Sequence, residues 1–181
     1  MTQLTPVSPG PAPAEGLRFR APTVDDGAAM HALVKTGGVL EPNTCYAYLL
    51  LATHFADTCL VATEQGEVVA FVAAYRPPTH PDTVFVWQIG VHPRLRGRGV
   101  ARRLLNELVT RGDGVRFLEA TVDPANEPSR RLFAGFARHQ GVPCAIGAGF
   151  EPHHFTTGAA GDAHPPEHLH RIGPFSESDP S

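Results

Sequence analysis

The chain has 181 residues, 42% of them hydrophobic and 18% charged, enough to bury one substantial core of domain size. Eighteen glycines and eighteen prolines make up a fifth of it, which implies long irregular segments and excludes a coiled coil or a collagen-like chain. A formal charge of -3 removes the overall positive field with which a general nucleic-acid binder gathers phosphates, so any anion site must be local.

Residues 1–16 carry four prolines and little that could pack, and read as a disordered leader. Leu17 and Phe19 alternate with Arg18 and Arg20 in a short strand, after which Thr23 and Asp26 offer a hydroxyl and a carboxylate to the free amides of a helix start. That helix runs to about Thr36, where Gly37 and Gly38 stop it. Asn43 is placed to cap a second, mostly buried helix over 43–55. From Asp57 the period shortens to two: 57–64 and 67–78 form a hairpin about a turn at 65–67, and TVFVWQIGV (83–91) is a third consecutive strand. A loop (92–99), a helix (100–112), a strand (115–122), a loop (123–126) and a helix over 127–140 follow, with Pro128 suited to the first turn. Beyond Gly141 the pattern weakens, and EHLHRIGPF (167–175) supplies one last strand. Residues 176–181 read as a flexible tail. The order implies one α/β domain over 17–175.

No run of eighteen apolar residues occurs, and the N-terminus lacks the basic flank and apolar stretch of a secretory signal, so a cytoplasmic protein without membrane contact is expected. Cys45, Cys59 and Cys144 lack CxxC spacing and read as free thiols, small hydrophobes rather than nucleophiles.

Chemistry concentrates in VFVWQIGVHPRLRGRGVARRLL, where a buried strand enters a glycine-containing loop and then a helix. The loop amides and the helix's unpaired N–H groups surround a concavity of positive potential, a cradle for a diphosphate. Gly97 and Gly99 let the backbone approach the ligand closely. Five of the ten residues from Arg94 to Arg103 are arginines and add charge at the rim. The loop lacks the GK[ST] ending of a P-loop and the third glycine of the dinucleotide fingerprint. What remains is RxxGxG at Arg94, Gly97 and Gly99.

In that loop and in element order over roughly 17–140, the chain resembles the GNAT family of acetyl-CoA-dependent N-acetyltransferases. The resemblance implies the GNAT acyl-CoA N-acyltransferase fold, a mixed α/β sheet splayed at its centre and flanked by helices, with acetyl-CoA in the gap and no metal. It also implies that Ile89, Gly90 and Val91 pair with the pantetheine arm through their backbone. Amides of Arg96, Gly97, Arg98, Gly99, Val100 and Ala101 would hold the diphosphate, and Asn126 would touch the coenzyme. Many members carry a tyrosine after the Asn-bearing loop to protonate the departing thiolate, whereas this chain reads NEPSRRLF with Phe133 there.

A narrower likeness runs through LEPNTCYAYLLLATHFADTCLVA, FVAAYRPPTHPDTVFVWQIGVHP, EATVDPANEPSRRLF and HPPEHLHRIGPF, which look like the diaminobutyrate acetyltransferase family of ectoine biosynthesis. It implies acetyl transfer from acetyl-CoA to the 4-amino group of L-2,4-diaminobutyrate by a homodimer. It also marks Glu41, Asn43, Tyr46 and Trp87 as substrate-pocket positions, with Glu41 where the family is expected to carry an aspartate. An amine with a lysine-like pKa of about 10.4 must lose a proton before it attacks, which calls for a carboxylate beside it. Glu167, near the last strand, is the candidate base and substrate contact, with His164 on the same wall.

Plainer roles compete. Tyr48 suits the packed face of a helix, Tyr46 suits either role, and Trp87 on a central strand belongs to the site only through the resemblance. His153, His154, His164, His168 and His170 match no zinc spacing, and Arg102, Arg103, Arg130 and Arg131 read as solvent-facing by default, with contact at the phosphate rim open to some of them. An acetyltransferase for another small amine, a non-enzymatic acyl-CoA-binding module and an RNA binder using the RLRGRG loop are the alternatives. The last lacks an extended basic face and base-stacking aromatics.

Overall fold

The computed structural model describes residues 16–37, 43–155 and 164–176. The leader before Gly16, the tail beyond Ser176 and the expected pocket residue Glu41 lie outside the described residues.

Strand β1 (Arg18–Arg20) leads into a 3-10 turn, Val24–Asp26, and then helix α1 (Gly27–Gly37). The Asp26 carboxylate accepts from Arg20 at 2.7 and 2.8 Å and from the Thr23 amide at 2.7 Å. The Arg20 guanidinium foremost, helped by Thr23 against the cost of burial, holds this carboxyl below the usual aspartate range. Helix α2 (Cys45–His54) begins two residues after Asn43. Thr44 rather than Asn43 occupies the cap position and makes no side-chain cap bond, which corrects the expected role of Asn43.

Strands β2 (Leu60–Glu64) and β3 (Glu67–Tyr75) join through Gln65 and Gly66, at φ 53° and 90°. Two successive left-handed residues make the primed turn whose twist matches that of a hairpin. Strand β4 (Thr83–Val91), helix α3 (Val100–Arg111), strand β5 (Phe117–Val122) and helix α4 (Glu127–Gln140) follow as the sequence predicts. Two strands rather than one then complete the chain, β6 (Cys144–Phe150) and β7 (Glu167–Ile172). The expectation of a single last strand missed β6, whose CAIGAGF has two glycines and one β-branched residue, Ile146, and is held by its pairing with β7.

The seven strands form one sheet in the order β1-β2-β3-β4-β5-β7-β6. Only β4 and β5 run parallel, and they pair only over Thr83–Phe85 and Phe117–Glu119. Beyond those three residues the strands part, splaying the sheet at its centre. On its other side β4 stays paired with β3, but the register slips so that Ala73 faces Gln88 while Ala74 faces Val86, leaving Trp87 as the extra residue of a β-bulge. The bulge switches the faces. Val84 and Val86 join the core under α3 and α4, whereas Gln88 is buried on the α1 and α2 side and Gly90 lies against Phe71 there. Two apolar clusters result, the larger between the sheet and α3 and α4, the smaller around Met30, Tyr48 and Phe71.

Candidate active site

The first half of the site is the strand–loop–helix junction. Gly97 and Gly99 adopt φ 74° and 76°, a left-handed conformation that other residues rarely reach without strain. Gly99 stands at the cap position of α3 and has no side chain with which to cap it, so the first amides of α3 are left for a ligand. A cavity of about 740 Å³ lies here. Every expected coenzyme position from Ile89 to Val91 and from Arg96 to Ala101 borders it.

Strand phase refines this set. The His92 amide donates to Val69 C=O at 2.9 Å, so along β4 the backbone of Gly90 faces β3 while Ile89 and Val91 turn theirs toward the gap. Gly90 therefore supplies clearance instead of hydrogen bonds: a Cβ there would lie 2.5 Å from the Phe71 ring. Arg94 of the RxxGxG pattern does not border the cavity and pairs with Glu64 of β2 at 2.5 Å. Arg96 does border it, and its guanidinium donates to Gly37 C=O at the end of α1 at 2.8 Å. Arg102, Arg103 and Arg131, read from sequence as solvent-facing, border the same cavity. Nothing local in the sequence distinguishes them from other helical arginines.

A second cavity, about 850 Å³, opens where β4 and β5 part. It gathers Asn43, Trp87, Asn126, and the pair His164 and Glu167, from four separate segments. The Thr121 hydroxyl of β5 donates to the Glu167 carboxylate of β7 and fixes its orientation. His164 stacks on Phe155 with ring centroids 3.8 Å apart. Trp87, lifted out by the bulge, is 37% exposed into this space. Asn126 borders this cavity rather than the cradle, and its carbonyl oxygen caps α4 by accepting from the Ser129 amide at 3.1 Å. Tyr46 is 66% exposed and borders neither cavity. Phe133 is buried against the ring of His170.

The two cavities meet. Among the described residues three border both, Ile89 at the gap edge of β4 and Pro128 and Ser129 in the first turn of α4. A ligand lying in the cradle and another beside Glu167 would touch at this junction.

The acetyltransferase (GNAT) family model matches residues 29–136. L-2,4-diaminobutyric acid acetyltransferase of Chromohalobacter salexigens is 47% identical over 163 residues, covering 88% of this chain and 82% of that protein. Its counterpart from Marinococcus halophilus is 42% identical over 165 residues, 90% and 93% of the two chains. The chain belongs to the diaminobutyrate acetyltransferases of the GNAT family. A solved structure of the Paenibacillus lautus diaminobutyrate acetyltransferase in complex with L-2,4-diaminobutyric acid and coenzyme A superimposes with a TM-score of 0.81, at 38% identity over 90% of this chain and 97% of that one.

Within this acetyltransferase, sequence reasoning passed over Gln88 and Thr121 as site residues. The Tyr48 hydroxyl donates to Gln88 Oε1 at 2.7 Å, so the helix residue read as packing also holds the polar side chain next to Trp87. Burial pushes the Tyr48 phenol above its ordinary range, partly offset by hydrogen bonds with Asn43 and Gln88. Alternation along β5 was the available signal for Thr121: Leu118, Ala120 and Val122 are buried, which turns Glu119 and Thr121 to the opposite face. All three cysteines are free, and burial pushes the Cys59 thiol up to about 11, leaving it no nucleophile at neutral pH. Among the described residues no group of three or more His, Cys, Asp and Glu could hold a metal ion, and no helix is long and apolar enough to cross a membrane.

Proposed function

We infer that the chain transfers the acetyl group of acetyl-CoA to the 4-amino group of L-2,4-diaminobutyrate, giving N4-acetyl-L-2,4-diaminobutyrate in ectoine biosynthesis. The observation that carries this reading is the meeting of two cavities at Ile89 and Ser129, one with a diphosphate cradle and the other with a carboxylate, in a chain 47% identical to such an enzyme. The cradle fits the coenzyme on its own chemistry: left-handed glycines, unpaired α3 amides and flanking arginines suit a diphosphate. The outward backbone of Ile89 and Val91 suits the amides of a pantetheine arm, which add to a strand edge as a peptide does.

When bound, the coenzyme supplies a thioester, an acyl group activated toward amines. Glu167, oriented by Thr121, takes the proton that the 4-ammonium must lose before it can attack. The Ile89 N–H, turned toward the gap at the junction, stabilises the charge that grows on the acyl oxygen. No covalent attachment to the protein is needed. Asn43, Trp87 and His164 hold the remainder of the diamine so that only one of its two nitrogens reaches the acyl carbon. Tyr46 and Glu41 keep their proposed part in that grip through the family resemblance alone.

The proposed assembly is a homodimer in the cytoplasm. Three free cysteines support a reducing compartment. Support for the dimer comes from β6, which forms one edge of the sheet and carries neither lysine nor proline within the strand to discourage pairing. Purified protein given acetyl-CoA and a panel of small amines tests the activity. Coenzyme A thiol released fastest with L-2,4-diaminobutyrate, with the product acetylated at N4, is the expected result; preference for another amine would replace the substrate and leave the reaction class standing.

A further inference from the structure

The position nearly two turns into α4 at which a tyrosine could donate to the departing sulfur holds Phe133, 3% exposed and without a proton to give. The sulfur must nevertheless lie where the two cavities join, since the coenzyme reaches that point from one side and the amine from the other. Of the three residues that border both cavities, Ile89 and Pro128 have no protic side chain. Ser129 has one. Its backbone amide is engaged by Asn126 Oδ1 at 3.1 Å, while its hydroxyl makes no hydrogen bond to any described residue and is not sealed from the cavity. It stands at the positive end of α4, where negative charge is favoured.

We propose that the Ser129 hydroxyl is the hydrogen-bond donor to the coenzyme A sulfur as the thioester is cleaved. This rests on the acetyl transfer inferred above. Glu167 first passes to solvent the proton it took from the ammonium; as the C–N bond forms it takes the nitrogen's second surplus proton, and the C–S electron pair leaves on sulfur as a thiolate. Ser129 donates to that thiolate and keeps its own proton, since a hydroxyl is a far weaker acid than a thiol of pKa about 8.5. The thiolate is protonated by water as the coenzyme departs, and Glu167 returns its proton to solvent. The position taken by Phe133 is then filled functionally by a residue one turn earlier on the same helix.

Ser129→Ala and Ser129→Thr test this, each measured for kcat, for coenzyme A affinity by calorimetry, and for thiol ionisation in the protein–coenzyme A complex by ultraviolet absorbance of the thiolate against pH. Ser129→Ala is expected to lower kcat about 10- to 100-fold, the range for losing one hydrogen bond to a charged group. It should leave coenzyme A affinity near wild type and move thiol ionisation to higher pH, with Ser129→Thr restoring both. A Ser129→Ala protein with unchanged thiol ionisation overturns the assignment, whether or not its kcat or affinity falls, because a merely structural role would leave the thiol untouched. If wild-type protein releases no thiol with diaminobutyrate, the substrate reading fails, while the ionisation of the bound thiol still decides the role of Ser129.

Discussion

At the scale of single residues, the site depends on groups whose partners lie far away in sequence. Glu167 is held by Thr121, 46 positions earlier, and Gln88 by Tyr48, 40 positions earlier. Glu167→Gln keeps the size of the side chain and its bond from Thr121 but cannot accept the ammonium proton. It should lower kcat by about 10²-fold or more, with the KM for acetyl-CoA changed little, because in the proposed mechanism the group acts on the amine and not in the cradle. Steady-state kinetics with each substrate varied in turn checks this, and equal loss in kcat and in coenzyme binding would show that Glu167 supports the fold. Elsewhere in the chain, single residues read from sequence as chemical also serve packing. Gly90 clears space for Phe71, and Arg94 joins the loop to Glu64.

Among the elements, the β4–loop–α3 unit is where local sequence and local structure agree most closely. A strand must end, turn sharply and begin a helix without a capping side chain, and Gly97 and Gly99 in left-handed conformations accomplish this. Gly97→Val places a β-branched residue at φ 74°, strain on the order of 1–3 kcal/mol that the loop escapes by turning its amides away from the cradle. Coenzyme A affinity, measured by calorimetry, should fall about tenfold, the equivalent of roughly 1.4 kcal/mol. The circular dichroism spectrum should stay close to wild type; unchanged affinity would place the diphosphate elsewhere. The bulge at Trp87 is the second decisive element, since one extra residue turns Gln88 to the opposite face and frees the backbone of Ile89 and Val91.

For the whole molecule, the splay between β4 and β5 creates the gap, and the pairing of β7 with β5 brings Glu167 to it. The same topology leaves β6 at the rim. Gly173 N–H donates to Pro143 C=O, which sets the phase of β6 so that Ala145 bonds toward β7 while Cys144 and Ile146 turn their backbone groups outward. Sedimentation of wild type is expected to give twice the chain mass. Ile146→Pro, which removes an outward donor without touching the β7 ladder, should yield a monomer with an unchanged circular dichroism spectrum. A wild-type monomer, or a dimer undisturbed by the proline, would remove this edge as the interface.

Much of the architecture could be read from the chain because its signals are local. Period-two runs, the turn at 65–67 and the glycines of the loop fix their own conformations, so ten of the eleven strands and helices emerged in the right order. The cradle was readable for the same reason: Arg96 to Ala101 are contiguous, and contiguous backbone makes it. The second cavity is different, since Asn43, Trp87, Asn126 and the adjacent pair His164 and Glu167 come together only after the sheet has closed. Naming them took resemblance to a family, and Gln88, Thr121 and Ser129 escaped notice. The folded chain alone settled which backbone edges of β4 face the gap, where the bulge falls and that CAIGAGF is a strand at all. Each of these depends on pairing with a distant segment, and local composition holds no record of its partner.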